Sequence, residues 1–197
     1  MPYLVFFGVF FLIGSIPTAF LVGKITQGKD LRKLGSGNIG ATNAFRVLGK
    51  KAGFFVFAVD FAKGFLPIVL AKPLFLGHEN FVWLAVAPIL GHIFTPFLGF
   101  KGGKGIATGA GVLLALGSDL FLFSLGVWAL FFLLFRIVSI ASLASSSVLP
   151  LWAWFRGYNL NEVVVLAFLA TLFLWTHRSN LKRLLAGNES AFRPLSK

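Results

Sequence analysis

The run Gly35-Ser36-Gly37-Asn38-Ile39-Gly40-Ala41-Thr42-Asn43-Ala44-Phe45-Arg46 holds the residue types that bind phosphate. Glycines at positions 35, 37 and 40 let the backbone reach φ > 0 and bring N–H groups close to a ligand. Successive N–H groups form an anion nest. Ser36, Asn38, Thr42 and Asn43 add neutral donors, and Arg46 adds a planar, charged fork suited to phosphate. A connection selected for flexibility alone would need neither the asparagines nor the arginine. A second run, Phe100-Lys101-Gly102-Gly103-Lys104-Gly105-Ile106-Ala107-Thr108, opens a helix with a Lys-Gly-Gly-Lys-Gly turn. A helix N-terminus, with bare N–H groups and a positive dipole end, is an anion site. The P-loop spacing is absent. Topology-setting lysines at a membrane face account for Lys101 and Lys104, but not for the glycines between them.

A third run starts at His177-Arg178-Ser179-Asn180 and reaches Glu189. If it is helical, His177 and Asn180 share a face. Leu181, Leu184 and Leu185 give an apolar side, while Lys182 and Arg183 reach headgroups. An interfacial amphipathic helix explains the leucines and cations. It does not explain His177, Asn180 and Glu189, so both readings stand at this point. His92 falls inside an apolar stretch and reads as a histidine hydrogen-bonded within the bundle; it is also a functional candidate, as any intramembrane ionisable group is. Asp60 and Lys63, three apart in another such stretch, should pair, because an unpaired charge there is costly. Ser139, Ser142, Ser145, Ser146 and Ser147 mark close helix packing, with Ser139 and Ser142 near enough to one end to line a site.

The elements that position these groups follow from composition. Among 197 residues, 57% are hydrophobic and 12% charged, with 18 Lys and Arg against six Asp and Glu, net +12. A soluble domain carries roughly 25% charge. A soluble enzyme, a disordered tail and a disulfide-built module are excluded, which leaves a polytopic helical membrane protein. With no cysteine, there is no disulfide, Cys-ligated zinc, iron–sulfur centre or thiol nucleophile. Met1 to Gly14 is apolar without a basic leader, so it reads as an uncleaved first span.

Crossing a ~30 Å core takes ~17–25 apolar residues. The expected spans are Tyr3–Gly23, Ala52–Leu76, Phe81–Phe100, Gly105–Gly117, Leu120–Phe135, Ile137–Phe155 and Glu162–Thr176. Lys24–Lys51 and the tail His177–Lys197 are polar and basic, and the fourth stretch is short for a crossing. Seven crossings put every basic residue except Lys63, Lys72 and Arg156 on one side, which is then cytoplasmic. The N-terminus is outside and the C-terminus inside. A re-entrant fourth stretch would scatter the later cations to both faces. No repeat appears, and residues 1–197 read as one all-α domain, a bundle of seven transmembrane helices.

All three runs fall on that one face. Taken alone, they describe a basic, glycine-rich pocket at headgroup level that holds one or two phosphates beside apolar helices. That suits an enzyme or carrier for a phosphorylated amphiphile. No metal cluster and no Ser-His-Asp spacing are seen. A lipid-phosphate transporter is the rival class, but transporters place sites near the midplane and show repeats. A headgroup-binding protein without catalysis would need the cations but not the Asn, Ser, Thr and His set.

Together the three runs resemble the PlsY family of bacterial membrane acyltransferases, with one motif in each third of the chain. Two departures are small: Thr95 precedes Pro96 where the family pattern has Pro directly after the Phe, and Leu181 stands where Ile is usual. The resemblance implies a cytoplasm-facing site in the inner membrane of a bacterium. It implies transfer of a fatty acyl group from acyl phosphate to the sn-1 hydroxyl of glycerol 3-phosphate, giving lysophosphatidic acid and phosphate. It implies no cofactor, no metal, no nucleic acid and no obligate protein partner, only the two substrates and membrane lipid. His177, Lys104, Asn180 and Ser36 are the expected catalytic residues. Gly37, Asn38, Gly40, Thr42, Asn43, Arg46, Lys101, Gly102, Gly103, Thr108, Ser142 and Glu189 are the expected binding residues. The common glycerolipid motif His-x-x-x-x-Asp is absent, since Trp83, Phe97 and Lys182 follow His78, His92 and His177 at that distance. His177 or a substrate phosphate then takes the hydroxyl proton.

Overall fold

The computed structural model describes residues 2–75 and 77–192, with Glu79 described by its backbone alone. The expected end of the second span at Leu76, and Arg193 and Lys197 of the basic tail, lie outside the described residues. All regular structure among the described residues is helical. The chain falls into two compact units, residues 1–115 and 116–197.

The first unit opens with α1 (Pro2–Gly14) and α2 (Thr18–Gln27), which replace one continuous helix. The break has a local cause. Pro17 has no N–H to donate, and the residue before a proline avoids the helical region. α2 runs past the expected end at Gly23 and stops at Gly28, which is left-handed at φ 64°. A short 3₁₀ turn, Leu31–Lys33, follows, started by Asp30. The Arg32 side-chain hydrogen bond outweighs partial desolvation and holds the Asp30 carboxyl down at about 2. Then come α3 (Ala41–Leu48) and α4 (Lys50–Ala71), the latter extended by a 3₁₀ turn to Phe75.

The third expected span is not one α-helix. It is a 3₁₀ stretch Glu79–Ala85, α5 (Val86–Ile93) and a 3₁₀ turn Pro96–Leu98. α6 (Ile106–Leu116) closes the unit and is short, as the sequence suggests. Glycines let these helices meet backbone to backbone, as in membrane bundles generally. A Cβ on Gly14 would overlap the Pro88 carbonyl, and one on Gly91 the Phe11 carbonyl. The same reciprocity joins α4 and α6, where Gly64 faces the Thr108 carbonyl and Gly111 the Phe61 carbonyl.

The second unit contains α7 (Ser118–Phe135), α8 (Val138–Phe155), α9 (Leu160–Thr176) and α10 (Arg178–Leu185). Arg136, left-handed at φ 56°, ends α7 and starts the hairpin into α8. The Tyr158 hydroxyl donates to Asp119 at 2.6 Å, joining the loop after α8 to the start of α7. Burial first, and then that bond, push the Tyr158 phenol up. Asn159 and Glu162 form a reciprocal capping box that starts α9. Leu122, Leu130, Leu133 and Leu134 lie more than half exposed along α7, as expected for a face solvated by lipid.

Five helical segments are long and apolar enough to cross a membrane: Pro2–Gln27, Lys50–Phe75, Asn80–Leu98, Ser118–Phe135 and Val138–Phe155. The pair α9 and α10, bent by 58° at its break, makes a sixth. Among the described residues the protein is therefore an all-helical membrane protein with five to six such spans.

Candidate active site

The first glycine-rich loop is built around one side chain. Asn43, on the buried face of α3, is 1% exposed. Its amide nitrogen donates to the carbonyls of Asn38 (2.9 Å), Leu34 (3.0 Å) and Leu31 (3.3 Å). Its oxygen accepts the Ser36 N–H at 2.9 Å. Asn43, expected to contact substrate, also holds the loop backbone through these four bonds. Gly35, at φ 59°, lies so close that a Cβ would overlap the Asn43 oxygen. Ser36 and Gly37 are left exposed on the loop, and Asn38 and Gly40 half-buried beside them. Gly40 is the residue before α3, and Thr42 and Arg46 lie four apart on one half-buried face of that helix. Asn43→Ala should lower stability by about 1–3 kcal/mol, since it leaves one buried and three part-buried backbone groups without their partner. A denaturation series on the purified protein checks this; an unchanged midpoint would mean that the loop is held by something else.

The second turn is hydrogen-bonded to the end of α5. Gly102 N–H donates to the Ile93 carbonyl (2.9 Å) and Gly103 N–H to the His92 carbonyl (3.1 Å). Lys101 is exposed and Lys104 half-buried, just ahead of α6. Gly103 is buried against the His92 ring. Thr108, an expected binding residue, is fully buried, with its hydroxyl 3.3 Å from His92 Nδ1. Leu98, just before this turn, packs on the cluster of Ala19, Leu31, Ile39, Ala44, Leu48 and Val56, which also backs the first loop. The two glycine-rich segments thus share one apolar foundation.

In the second unit, His177 is 3% exposed at the bend between α9 and α10. Its Nδ1 lies 2.8 Å from the Phe173 carbonyl. A carbonyl can only accept, so Nδ1 carries the proton and, in the neutral ring, Nε2 is an acceptor. Asn180, buried one turn later, donates to Glu189 Oε1 at 2.5 Å. Ser139 donates to the same oxygen at 2.9 Å, and Arg183 Nε to Oε2 at 2.6 Å. Glu189, an expected binding residue, therefore ties α8 and α10 to the segment after α10 and acts as an anchor there. Arg183 is the partner that sequence reading missed; the signal was an opposite charge six residues from Glu189, across Gly187. At Ser142, an expected binding residue, Trp128 Nε1 donates to the hydroxyl at 3.2 Å, joining α7 and α8.

Burial acts to raise the Glu189 pKa, but the bonds from Asn180, Arg183 and Ser139 outweigh it and hold the carboxyl below its usual value. A depressed carboxyl contributes stability above its unfolded pKa and loses it as pH falls through the folded one. Proteolysis after α10 should therefore accelerate only at pH below the usual carboxylate range, whereas Glu189→Gln should be labile already at pH 7. Equal cleavage of both proteins across that range would count against the anchor.

Within the first unit, two glycine-rich segments with Arg46 and Lys104 stand on helix ends; within the second, a buried histidine is held by a backbone carbonyl and, one turn later, an asparagine by a carboxylate. Such a chain is a helical membrane protein equipped to handle a phosphorylated substrate. The profile of the glycerol-3-phosphate acyltransferase family matches residues 4–187. The chain belongs to that family, and it is a glycerol-3-phosphate acyltransferase of phospholipid synthesis. It is 45% identical over 187 residues to a glycerol-3-phosphate acyltransferase of Desulfotalea psychrophila, covering 93% of this chain and 94% of that one. It is 42% identical over 184 residues to that of Aquifex aeolicus, covering 92% and 95%. A crystal structure of PlsY, an integral membrane glycerol 3-phosphate acyltransferase in its glycerol 3-phosphate form, superposes with a TM-score of 0.93 at 40% identity. That match covers 99% of this chain and 98% of the other. The lysophosphatidic acid form gives a TM-score of 0.87 at 38% identity, covering 99% and 97%.

Proposed function

We propose that the acyl donor is acyl phosphate and that the whole chain works as one acyltransferase domain. The sn-1 hydroxyl oxygen of glycerol 3-phosphate attacks the acyl carbonyl carbon. The new ester C–O bond forms, the bond from that carbon to the phosphate oxygen breaks, and the hydroxyl proton ends on the departing phosphate. The products are 1-acylglycerol 3-phosphate and inorganic phosphate. The supporting observation is the pair of glycine-rich segments with Arg46 and Lys104, because both substrates carry a phosphate. Ser36 with Gly37, Asn38 and Gly40, and the Lys101–Lys104 turn, bind the acyl phosphate and stabilise its leaving group. Lys104, Arg46, His177 and Asn180 position glycerol 3-phosphate, with Thr42 beside Arg46. Asn43 and Glu189 act as positioning residues. His177 Nε2 either takes the hydroxyl proton or orients the hydroxyl toward a substrate phosphate.

We also propose seven crossings, with α6 and α9 completing the five long spans, the N-terminus outside and the C-terminus cytoplasmic. The charge bias of the sequence supports this orientation. The site then faces the cytoplasm, at the inner membrane of a bacterium, and needs no cofactor or protein partner. Purified protein given palmitoyl phosphate should release phosphate only when glycerol 3-phosphate is present, in a 1:1 ratio with lysophosphatidic acid. Acylation from an acyl thioester with no acyl phosphate present would overturn the donor assignment.

A further inference from the structure

Beneath the Lys101–Gly105 turn lies a buried charged cluster that no step above uses. Asp60 is 1% and Lys63 6% exposed on α4, with Lys63 Nζ 2.8 Å from Asp60 Oδ1. Lys63 Nζ also donates to the Ile16 carbonyl at 2.8 Å, at the break between α1 and α2. His92, 7% exposed on α5, directs Nδ1 at Asp60 Oδ1 (3.8 Å) and at the Thr108 hydroxyl (3.3 Å). The opposite edge of the ring abuts the turn: a Cβ on Gly103 would overlap His92 Nε2 and lie 3.0 Å from ring carbons Cδ2 and Cε1. Gly103 N–H also bonds the His92 carbonyl. The residue next in sequence is Lys104.

Energetics argue that the cluster is not there for stability. Desolvating a lysine and a carboxylate can cost more than their attraction returns, and apolar replacements of similar volume are often neutral or stabilising. Asp60 Oδ2 has no hydrogen-bond partner among the described residues, so even the carboxylate's own valences are incompletely met. What the cluster does supply is direction. Asp60 and Thr108 together hold one edge of the imidazole, which fixes where the other edge presses on Gly103.

We propose that Asp60, Lys63 and His92 form a positioning element that sets the Lys101–Gly105 turn, and hence Lys104, against a substrate phosphate. Lys63 pairs with Asp60, Asp60 orients His92, and His92 is the floor on which Gly103 rests. The inference rests on the reading of this turn as a phosphate site. The cluster would then govern affinity for whichever substrate's phosphate the turn holds, and leave the other substrate's binding alone.

Steady-state kinetics with both substrates varied tests it, on Asp60→Asn, His92→Phe and the charge-neutral pair Asp60→Asn/Lys63→Met. The expected result is a KM for one substrate raised about tenfold or more, with the other within about twofold. The double variant, with no buried charge left uncompensated, should recover thermal stability but keep the raised KM. A purely structural role would lower the yield of folded protein and the active fraction while leaving both KM values at wild type; that outcome, above all in the double variant, overturns the inference. Lys104→Ala, run alongside, separates the two levels. If it leaves both KM and kcat unchanged, the turn is not a phosphate site and the inference falls with that reading. If it impairs the enzyme while the cluster variants bind like wild type, only the inference fails.

Discussion

Lys104→Ala is expected to lower glycerol-3-phosphate acyltransfer by about 10²–10³-fold, the usual cost of removing one donor aimed at developing charge. The expectation follows from where the side chain starts. Lys104 is flanked by Gly103 and Gly105, the latter at φ 84°, and precedes α6, whose first N–H groups and dipole already favour an anion. Removing the ammonium leaves that weaker field. Lys104→Arg should recover only part of the activity, since a guanidinium fork is longer and planar where a point charge is needed. Phosphate release and lysophosphatidic acid formation should fall together, with the thermal midpoint of the variant within a few degrees of wild type. A variant that is folded and within threefold of wild-type kcat/KM would remove Lys104 from the reaction.

The second large effect is expected at His177. Loss of a positioned acid–base group costs about 10²–10⁴-fold. The ring is buried, and its Nδ1–H is fixed on the Phe173 carbonyl, which presents Nε2 as an acceptor in one orientation. His177→Ala should therefore lower kcat by at least about 10²-fold. His177→Asn separates the two roles. An asparagine that restores much of the rate would show that the histidine orients the hydroxyl while a phosphate takes the proton. An asparagine as inactive as alanine would show that the imidazole takes it. Wild-type kcat in both variants would exclude either role.

What could be read in the sequence was local. Asp60 and Lys63 stand three apart in an apolar stretch, so their pairing followed from the cost of an isolated charge, and they meet at 2.8 Å. His92 read as bonded inside the bundle, and it faces Thr108 and Asp60. Hydropathy located the long spans to within a few residues. The break at Pro17 had a local signal, a proline after Ser15-Ile16, but the surrounding apolar run masked it. The third span carries Pro88 and Pro96, and hydropathy again read through both.

What could not be read was long-range. Asn43 reads as a donor in a phosphate loop, and spacing gives no sign of its bonds to the carbonyls of Leu31, Leu34 and Asn38, whose approach depends on how the chain turns back on itself. The partners of Glu189 and Thr108 were hidden in the same way: spacing identifies a polar group near a site but not which neighbour it faces. Ser142 bonds Trp128 across a hairpin, a pairing that no periodicity encodes.

The break between α1 and α2 bears on how the protein is made. The Ile16 carbonyl is bonded by Lys63, 47 residues later, and the Ser15 carbonyl by Thr95, 80 residues later. A ribosome delivers the first hydrophobic segment long before either partner exists. During that interval the Ile16 carbonyl has only nearby Thr18, its N–H at 3.0 Å, the Ser15 carbonyl lacks the Thr95 hydroxyl, and hydrocarbon offers no substitute. The nascent segment must therefore either enter the bilayer as an unbroken helix and bend afterwards, or wait in a hydrated vestibule of the insertion machinery. Thr95 makes the later of the two bonds, so the bend is not fully satisfied until the third hydrophobic segment has been delivered.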